Sequence, residues 1–357
     1  MKAEIKSKVS DNREKLQDVI PLNTPFALYI EPSDKCNFRC KFCPTSDLKL
    51  MQATNGRNYG NMDFNLYKKV IDECSEFEDN IKLLSLYESG EPLLNPMFPQ
   101  MVEYAKKSNK FNRILTTTNA YLLNNELSLK IMDAGLDRIN ISIEGINEEQ
   151  YFNISNVKID FNKLVNNIKF FYENKKQCEV SIKIVGNYLS DDDKKKFYDI
   201  FGNICDLIFI ENITPSWGDF DISHLKITTD MSTYGKEFRK VSVCPQIFFA
   251  MCVNSNGSVS PCCNDWARKV IIGNAYNERL KDIWNGEELL NLQKLFLRGE
   301  RDKHPFCSSC GGPEYAFHDN IDDYAEEILF KIKRREEKRR EEKRREEKRR
   351  EEKRREE

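Results

Sequence analysis

Three cysteines on one short loop restrict the architecture of this chain more than any other feature of its sequence. Cys36, Cys40 and Cys43 follow directly after the apolar run 26–30, with CX3CX2C spacing. A cubane iron–sulfur cluster takes four thiolates, so three of them leave one iron free to bind a further ligand. Structural zinc usually draws on paired cysteines and histidines. Because no histidine lies near this loop in the sequence, the spacing favours an iron–sulfur cluster over zinc.

The CX3CX2C spacing resembles that of the radical S-adenosylmethionine (radical SAM) superfamily. In that family the open iron binds S-adenosylmethionine, and one electron from the cluster cleaves it to a 5'-deoxyadenosyl radical. The resemblance implies a 4Fe-4S cluster on Cys36, Cys40 and Cys43, with Phe42 close to the adenine. It also implies an electron donor of the flavodoxin or ferredoxin type.

Strand-like apolar runs alternate with amphipathic helical patterns six times after residue 26. Such alternation predicts a parallel α/β sheet. Six units are too few for an eight-stranded barrel, and no GxGxxG follows the first strand as in a dinucleotide-binding fold. The expected fold class is therefore α/β, in the form of the partial (β/α)6 TIM-like barrel of the radical SAM superfamily. We expect the strands to begin near Phe26, Ile81, Asn112, Arg138, Glu179 and Leu207.

Polar motifs at the predicted strand ends are also similar to those of the superfamily. After the second strand, the run Ser-Gly-Glu-Pro at 89–92 resembles a Gly-Gly-Glu-Pro motif whose backbone contacts the amino group of S-adenosylmethionine. Taken alone, each polar residue at a strand end is more often a turn former. The resemblance implies that the cofactor site includes Gly90, Glu91, Asn119, Ser142 and Lys183.

Six more cysteines lie between residues 244 and 310. An Asn-Gly turn at 256–257 predicts a β-hairpin within this segment. The order of cysteines and glycines resembles the SPASM domain, and its shorter twitch form, which add auxiliary clusters to one branch of the superfamily. Cys252 and Cys263 remain as alternative ligands, and ligand type alone leaves a four-cysteine zinc site open. The resemblance implies one auxiliary 4Fe-4S cluster on Cys244, Cys262, Cys307 and Cys310.

Four segments are predicted along the chain. They are an N-terminal helical extension (1–25), the radical SAM core (26–235), the SPASM/twitch domain (240–320) and a charged low-complexity helix (321–357). From Lys333 onward the sequence consists of five copies of Lys-Arg-Arg-Glu-Glu, which places glutamates three or four positions from arginines. Because this repeat has no apolar face, we expect a solvated single helix.

Charge and hydropathy argue against several classes of partner. The repeat is net basic and the rest of the chain is net acidic, whereas nucleic-acid binders present a basic face. No apolar stretch approaches the ~20 residues that span a bilayer, and the first residues lack a signal peptide's apolar core. We therefore predict a cytoplasmic protein with neither nucleic-acid nor membrane partners, where twelve cysteines can serve as metal ligands or buried thiols.

One auxiliary cluster suits a net two-electron oxidation, because it can accept the electron left on a product radical. The predicted function is a radical SAM oxidoreductase that oxidises or epimerises a sugar-like or aminocyclitol-type small molecule. The cysteine layout most resembles that of twitch enzymes of the 2-deoxy-scyllo-inosamine dehydrogenase type. One alternative is the maturation of a ribosomally made peptide, and another is a non-catalytic iron–sulfur scaffold or redox sensor. The sequence identifies no general base.

Overall fold

The computed structural model describes residues 1–8, 13–54, 56–57, 59–316 and 319–356. These residues form one ten-stranded sheet. Its strands are β1 (Glu4–Ile5), β2 (Ala27–Ile30), β3 (Ile81–Ser85), β4 (Phe111–Thr118), β5 (Arg138–Ile143), β6 (Glu179–Val185), β7 (Leu207–Glu211), β8 (Ala250–Val253), β9 (Ser258–Ser260) and β10 (Gly273–Asn274). In space they follow the order β1-β7-β6-β5-β4-β3-β2-β8-β9-β10.

Most helices lie between consecutive strands or after the last of them. They are α1 (Leu16–Val19), α2 (Leu48–Gln52), α3 (Phe64–Glu73), α4 (Phe98–Ser108), α5 (Asn125–Ala134), α6 (Glu148–Ser155), α7 (Phe161–Asn174), α8 (Asp191–Phe201), α9 (Leu280–Trp284), α10 (Glu287–Leu297), α11 (Gly312–Tyr315) and α12 (Ala325–Glu356). None of the helices in the described ranges combines the length and apolarity that a membrane crossing requires.

The six strands from β2 to β7 are parallel, and each pairs with the next one in sequence. Their first residues lie within one position of the predicted starts. The helix α3 shows how the crossovers form. The Asp63 side chain accepts hydrogen bonds from the first-turn N–H groups, and the apolar face buries Leu66, Val70 and Ile71. The prediction of a partial (β/α)6 barrel in the α/β class is confirmed.

The N-terminal segment differs from the helical extension expected over residues 1–25. Residues Glu4–Ile5 form the strand β1, which pairs in parallel with β7, and α1 covers only Leu16–Val19. Without β1, one side of β7 would leave its backbone N–H and C=O groups unpaired, which is unfavourable for an edge strand. The main-chain N–H of Lys6 accordingly donates to the carbonyl of Ile208 over 3.1 Å.

The cysteine-rich segment continues the same sheet. Strand β8 runs parallel to β2, with Cys252 opposite Tyr29, and β9 returns antiparallel to β8. The predicted Asn-Gly turn is present, since Gly257 has a φ of +83°, a conformation that favours glycine. The auxiliary segment is therefore joined to the barrel by backbone hydrogen bonds, which its sequence did not indicate.

The helix α12 contains the charged repeat, and its first turns pack against the body of the protein. Ile328 and Ile332 are buried ahead of the repeat. Within the first copy, Arg335 donates to the carbonyl of Leu22 (2.9 Å), and Lys294 pairs with Glu336 (2.5 Å). The expectation of a fully solvated repeat is wrong for this copy, because long charged side chains reach polar groups that an apolar-face argument does not consider.

Candidate functional site

The loop that carries Cys36, Cys40 and Cys43 follows the C-terminal end of β2. The carboxylate of Asp34 shapes its start by accepting a hydrogen bond from the N–H of Gly60 (2.6 Å). Burial raises the pKa of the Cys36 thiol to about 12 and the pKa of Cys40 well above its usual value. The thiols would therefore stay protonated without a bound cation, and it is metal binding that deprotonates such ligands.

Gly90 lies directly against the backbone of the cysteine loop. A Cβ atom at this position would be 2.0 Å from the carbonyl oxygen of Ser33 and 2.7 Å from that of Lys35. The neighbouring N–H of Glu91 donates to the same Lys35 carbonyl over 2.7 Å. Since backbone atoms cannot move aside as a side chain can, glycine is required here for the Ser-Gly-Glu-Pro segment to contact the cysteine loop.

The carboxylate of Glu91 is committed to the protein interior. It accepts hydrogen bonds from the Thr118 hydroxyl (2.6 Å), from the N–H of Asn119 (2.9 Å) and from the N–H of Leu93 (3.0 Å). Burial raises the pKa of Glu91 to about 7, although these donors act in the opposite direction. Glu91 therefore fixes the end of β3 against the end of β4.

The strands β5 to β7 bring Ser142, Lys183 and Phe209 into one row, as their paired Cα positions show. Lys183 forms an ion pair with Glu211 at the end of β7. The neighbours of Lys183 along β6, Ile182 and Ile184, are buried on the opposite face. The row therefore belongs to the inner face of the barrel, because side chains alternate between the two faces of a strand.

Glu144 is a site residue that was missed from the sequence, although it lies two positions after Ser142. Its side chain is buried, and its Oε2 has no hydrogen-bond partner among the described residues. Burial raises the pKa of Glu144 to about 7, and the charge of Lys183 opposes that rise. The Cys40 thiol is close enough to hydrogen bond to Glu144, so this carboxyl lies beside the first cysteine site.

Phe42 is half-buried on the loop that carries the three cysteines.

The four cysteines predicted for the auxiliary site line one cavity, namely Cys244, Cys262, Cys307 and Cys310. Arg301 shapes the last two positions by donating to the carbonyls of Cys307 (3.0 Å) and Cys310 (2.9 Å) while it pairs with Glu314 (2.7 Å). Burial, followed by the neighbouring Cys310, raises the pKa of Cys307 to about 12.

A set of polar side chains on the inner face extends between the two cysteine sites. The rings of Tyr29 and Tyr87 lie 6.2 Å apart, and the Nζ of Lys8 lies 5.7 Å from the Tyr87 ring. These side chains and Tyr234 keep accessible surface. We call this set the inner polar face; its members are Lys8, Tyr29, Tyr87, Lys183, Glu211 and Tyr234.

The inner polar face reaches both cysteine sites. At one end, burial and then the charge of Glu144 raise the pKa of Cys40, whereas the charge of Lys183 lowers it. At the other end, burial and then Cys263 raise the pKa of Tyr29, and Cys263 is also among the groups that raise the pKa of Lys8 against the effect of burial. Cys263 directly follows Cys262 of the auxiliary cavity. Cys252 faces the same region from β8, opposite Tyr29. Another cavity, between Trp284 and Arg335, lies away from both sites.

Comparison with known proteins matches both parts of the chain. The model for the radical SAM superfamily matches residues 30–200, and the model for the SPASM iron–sulfur cluster-binding domain matches residues 244–311. GTP 3',8-cyclase of Clostridium perfringens is 29% identical over 188 residues, which are 52% of this chain and 54% of that protein. The chain thus spans about half the length of this curated relative.

Two solved structures share the fold at low sequence identity. BtrN in complex with AdoMet and 2-DOIA gives a TM-score of 0.51 at 19% identity, covering 83% of this chain and 97% of BtrN. SuiB of Streptococcus suis bound to the precursor peptide SuiA gives a TM-score of 0.59 at 17% sequence identity, covering 83% of this chain and 72% of SuiB.

A parallel α/β barrel with a three-cysteine loop and a second cysteine cavity is typical of an iron–sulfur protein whose ligands lie at the carboxyl ends of the strands. Residues 30–200 form a radical SAM domain, and residues 244–311 form a SPASM domain. These two domains are those of proteins whose cofactors are S-adenosylmethionine and iron–sulfur clusters.

Proposed function

We propose that this chain is a radical SAM dehydrogenase of a polyhydroxylated small molecule, such as a sugar or an aminocyclitol. The observation that carries the proposal is the inner polar face, which connects the three-cysteine loop with the auxiliary cavity. Phenols, ammonium groups and a carboxylate offer hydrogen-bond donors and acceptors in many directions. Such a lining suits a compact substrate with several hydroxyl or amino groups.

The side chains present fit two clusters. Cys36, Cys40 and Cys43 would hold one cluster with an open iron, and the four auxiliary cysteines would close the coordination of the other. No group of three or more metal-ligating side chains in the described part of the chain is placed to hold a single metal ion. The four auxiliary cysteines nevertheless line one cavity.

With its clusters and S-adenosylmethionine bound, the chain would have a radical that removes a hydrogen atom from a substrate carbon. The protein's own part is to orient that carbon and to take a proton. The Lys183–Glu211 ion pair would hold substrate hydroxyls in place. Glu144 has a buried oxygen without a partner and is our candidate for the group that accepts the hydroxyl proton. The remaining electron would leave toward the auxiliary site. A flavodoxin or ferredoxin is the proposed external electron donor for the cleavage of S-adenosylmethionine.

The relatives alone do not choose the substrate, since structures bound to 2-DOIA and to a precursor peptide share this fold. Peptide maturation is therefore the second candidate, and epimerisation the third. The inner polar face supports the small-molecule proposal because its charged and phenolic groups offer several hydrogen-bond donors and acceptors to a compact polyhydroxylated substrate.

The test supplies anaerobically reconstituted protein with S-adenosylmethionine, dithionite and a panel of aminocyclitols deuterated at each carbinol carbon. The proposal predicts a product lighter by two hydrogens, with deuterium recovered in 5'-deoxyadenosine. Glu144→Gln should reduce product formation far more than it reduces deuterium transfer. A product isomeric with its substrate would favour epimerisation, and turnover of peptides alone would favour maturation.

A further inference from the structure

One guanidinium joins three separate segments of the chain near the C-terminal ends of β2 and β3. Arg268 donates from Nη2 to Glu31 over 2.7 Å and from Nη1 to Glu88 over 2.9 Å. All three side chains are only 1% exposed. Removing a guanidinium and two carboxyl groups from water is costly, and only close and well-directed contacts offset that cost.

The three residues stand next to both cofactor sites in the sequence. Glu31 directly precedes the loop that leads to Cys36, and Glu88 lies two residues before Gly90. Arg268 lies six residues after Cys262, which lines the auxiliary cavity. The ion network is therefore the place where the auxiliary loop meets the cysteine loop and the Ser-Gly-Glu-Pro segment.

Packing around Arg268 holds this contact in one geometry. A Cβ atom on Gly56 would be 2.2 Å from the Cβ of Arg268, so this glycine is pressed against it. Next to it, Arg57 donates to the carbonyl of Trp266 (2.9 Å) and to that of Asp34 (3.0 Å). Arg268 itself has a φ of +55°, an unusual conformation for a residue other than glycine. Such a backbone persists only where its surroundings fix it.

Two carboxylate oxygens of the network lack a hydrogen-bond donor. The Oε1 of Glu31 and the Oε2 of Glu88 are buried without a hydrogen bond; the latter lies 2.9 Å from Nη2 of Arg268 but outside hydrogen-bond geometry. Burial alone would raise the pKa of Glu31, but the charge of Arg268 holds it below its usual value. Burial raises the pKa of Glu88 to about 8. Among the described residues only Arg268 forms an ion pair with both carboxyl groups, although the charge of Arg57 also lowers the pKa of each.

We propose that Arg268 is a positioning residue for S-adenosylmethionine. Its guanidinium couples the auxiliary cysteine loop to the Ser-Gly-Glu-Pro segment at Gly90. The folded auxiliary loop places the guanidinium, and the guanidinium places Glu31 and Glu88. The proposal depends on cofactor binding by a radical SAM protein and not on which substrate is oxidised. Because coupling between two sites is reciprocal, bound S-adenosylmethionine should in turn stabilise the auxiliary loop.

The first test uses the unmodified, anaerobically reconstituted full chain. Hydrogen–deuterium exchange is followed with and without S-adenosylmethionine. We expect the cofactor to slow exchange in residues 262–270 as well as around Gly90. Slower exchange around Gly90 with no change in residues 262–270 would overturn the proposal. No change in either region would show that the cofactor does not bind, which is a failure of the radical SAM function and not of the coupling.

The second test measures the dissociation constant of S-adenosylmethionine by equilibrium dialysis. Arg268→Lys keeps the charge but cannot reach both carboxyl groups in one plane. It should raise the dissociation constant by about tenfold, a typical size for coupling between two sites. The matched control is Arg138→Lys, which alters another buried arginine, paired with Glu179 over 2.9 Å near the start of β5. The control should change the constant by less than about twofold.

A third variant guards against loss of folding. The combination E31Q/R268M/E88Q removes all three ionisable groups, so that none of them is left buried without its partner. It should retain the iron content of the wild type and still bind S-adenosylmethionine about tenfold more weakly. Normal affinity in either this variant or Arg268→Lys would show that the network serves folding alone.

Discussion

Asn119, which follows β4, donates a hydrogen bond from its side-chain Nδ2 to the side-chain oxygen of Asn37 in the cysteine loop, over 2.8 Å. The main-chain N–H of Asn119 donates at the same time to Glu91. One residue thus connects the three-cysteine loop and the Ser-Gly-Glu-Pro segment to a single strand end. Family resemblance alone pointed to Asn119 in the sequence, and the structure provides a physical role for it.

Asn119→Ala should weaken binding of S-adenosylmethionine without removing iron. A net hydrogen bond contributes about 0.5–1.5 kcal/mol, which corresponds to roughly a two- to tenfold larger dissociation constant. Asn80→Ala is the control, because Asn80 is exposed and donates one hydrogen bond to a main-chain carbonyl over 3.1 Å. Equal affinities for wild type and Asn119→Ala would mean that this contact does not shape the cofactor site.

Iron content should report two independent sites. With three thiolates at one site and four at the other, reconstituted protein should hold about eight irons. Replacing Cys36, Cys40 and Cys43 with alanine should remove about half of this iron, as should replacing Cys307 and Cys310. Cys74→Ala is the control, because Cys74 is buried among apolar residues of the core. Bound zinc, or loss of all iron in one of these variants, would refute the assignment of two sites.

Truncation should lower the stability of the protein when it removes the whole charged repeat, but not when it leaves the first two copies in place. A chain that ends at Glu342 keeps the contacts of Arg335 and Glu336 and should unfold at the wild-type temperature. A chain that ends at Ile332 loses them and should be less stable by about 1–3 kcal/mol, given one partly buried ion pair and several hydrogen bonds. Thermal unfolding measures both. Identical midpoints would mean that the contacts of Arg335 contribute nothing.

The apoprotein should lose stability as pH rises from about 5 to 8. Burial raises the pKa of Glu91 to about 7 and that of Glu88 to about 8. The folded state therefore binds these protons more tightly than the unfolded chain, and that advantage disappears as pH passes the folded-state values. Glu88→Gln, which stays neutral, should reduce the loss by an amount on the order of 1–3 kcal/mol in urea unfolding. The exposed Glu149→Gln should behave like the wild type.

The sequence predicted the barrel well because alternating strands and helices follow local rules of burial and capping. The start of β2 and the cap at Asp63 are examples. The strand at Glu4–Ile5 was missed because two residues carry no periodic pattern, and only the exposed side of β7 makes them a strand. The position of β8 beside β2 was missed for a similar reason, since pairing between strands that are distant in the sequence produces no local sequence pattern.

The cysteines of the candidate site were selected from the sequence by their spacing, and their role as cluster ligands stays a prediction. Resemblance also selected Gly90, and the structure shows why a side chain cannot replace its hydrogen. In contrast, Arg268 and Glu31 meet across more than two hundred positions, and neither belongs to a recognisable motif. Glu144 could have been selected, because a carboxyl group follows Ser142 at a strand end where ligands bind.

Reductive cleavage of S-adenosylmethionine tests the central proposal most directly. With dithionite and no substrate, the reconstituted protein should form methionine and 5'-deoxyadenosine slowly. Loss of Cys36, Cys40 or Cys43 should abolish this cleavage, whereas loss of Cys307 or Cys310 should leave part of it while preventing formation of oxidised product. Absence of cleavage by the wild type, or normal cleavage by variants at Cys36, would contradict radical SAM chemistry at the three-cysteine loop.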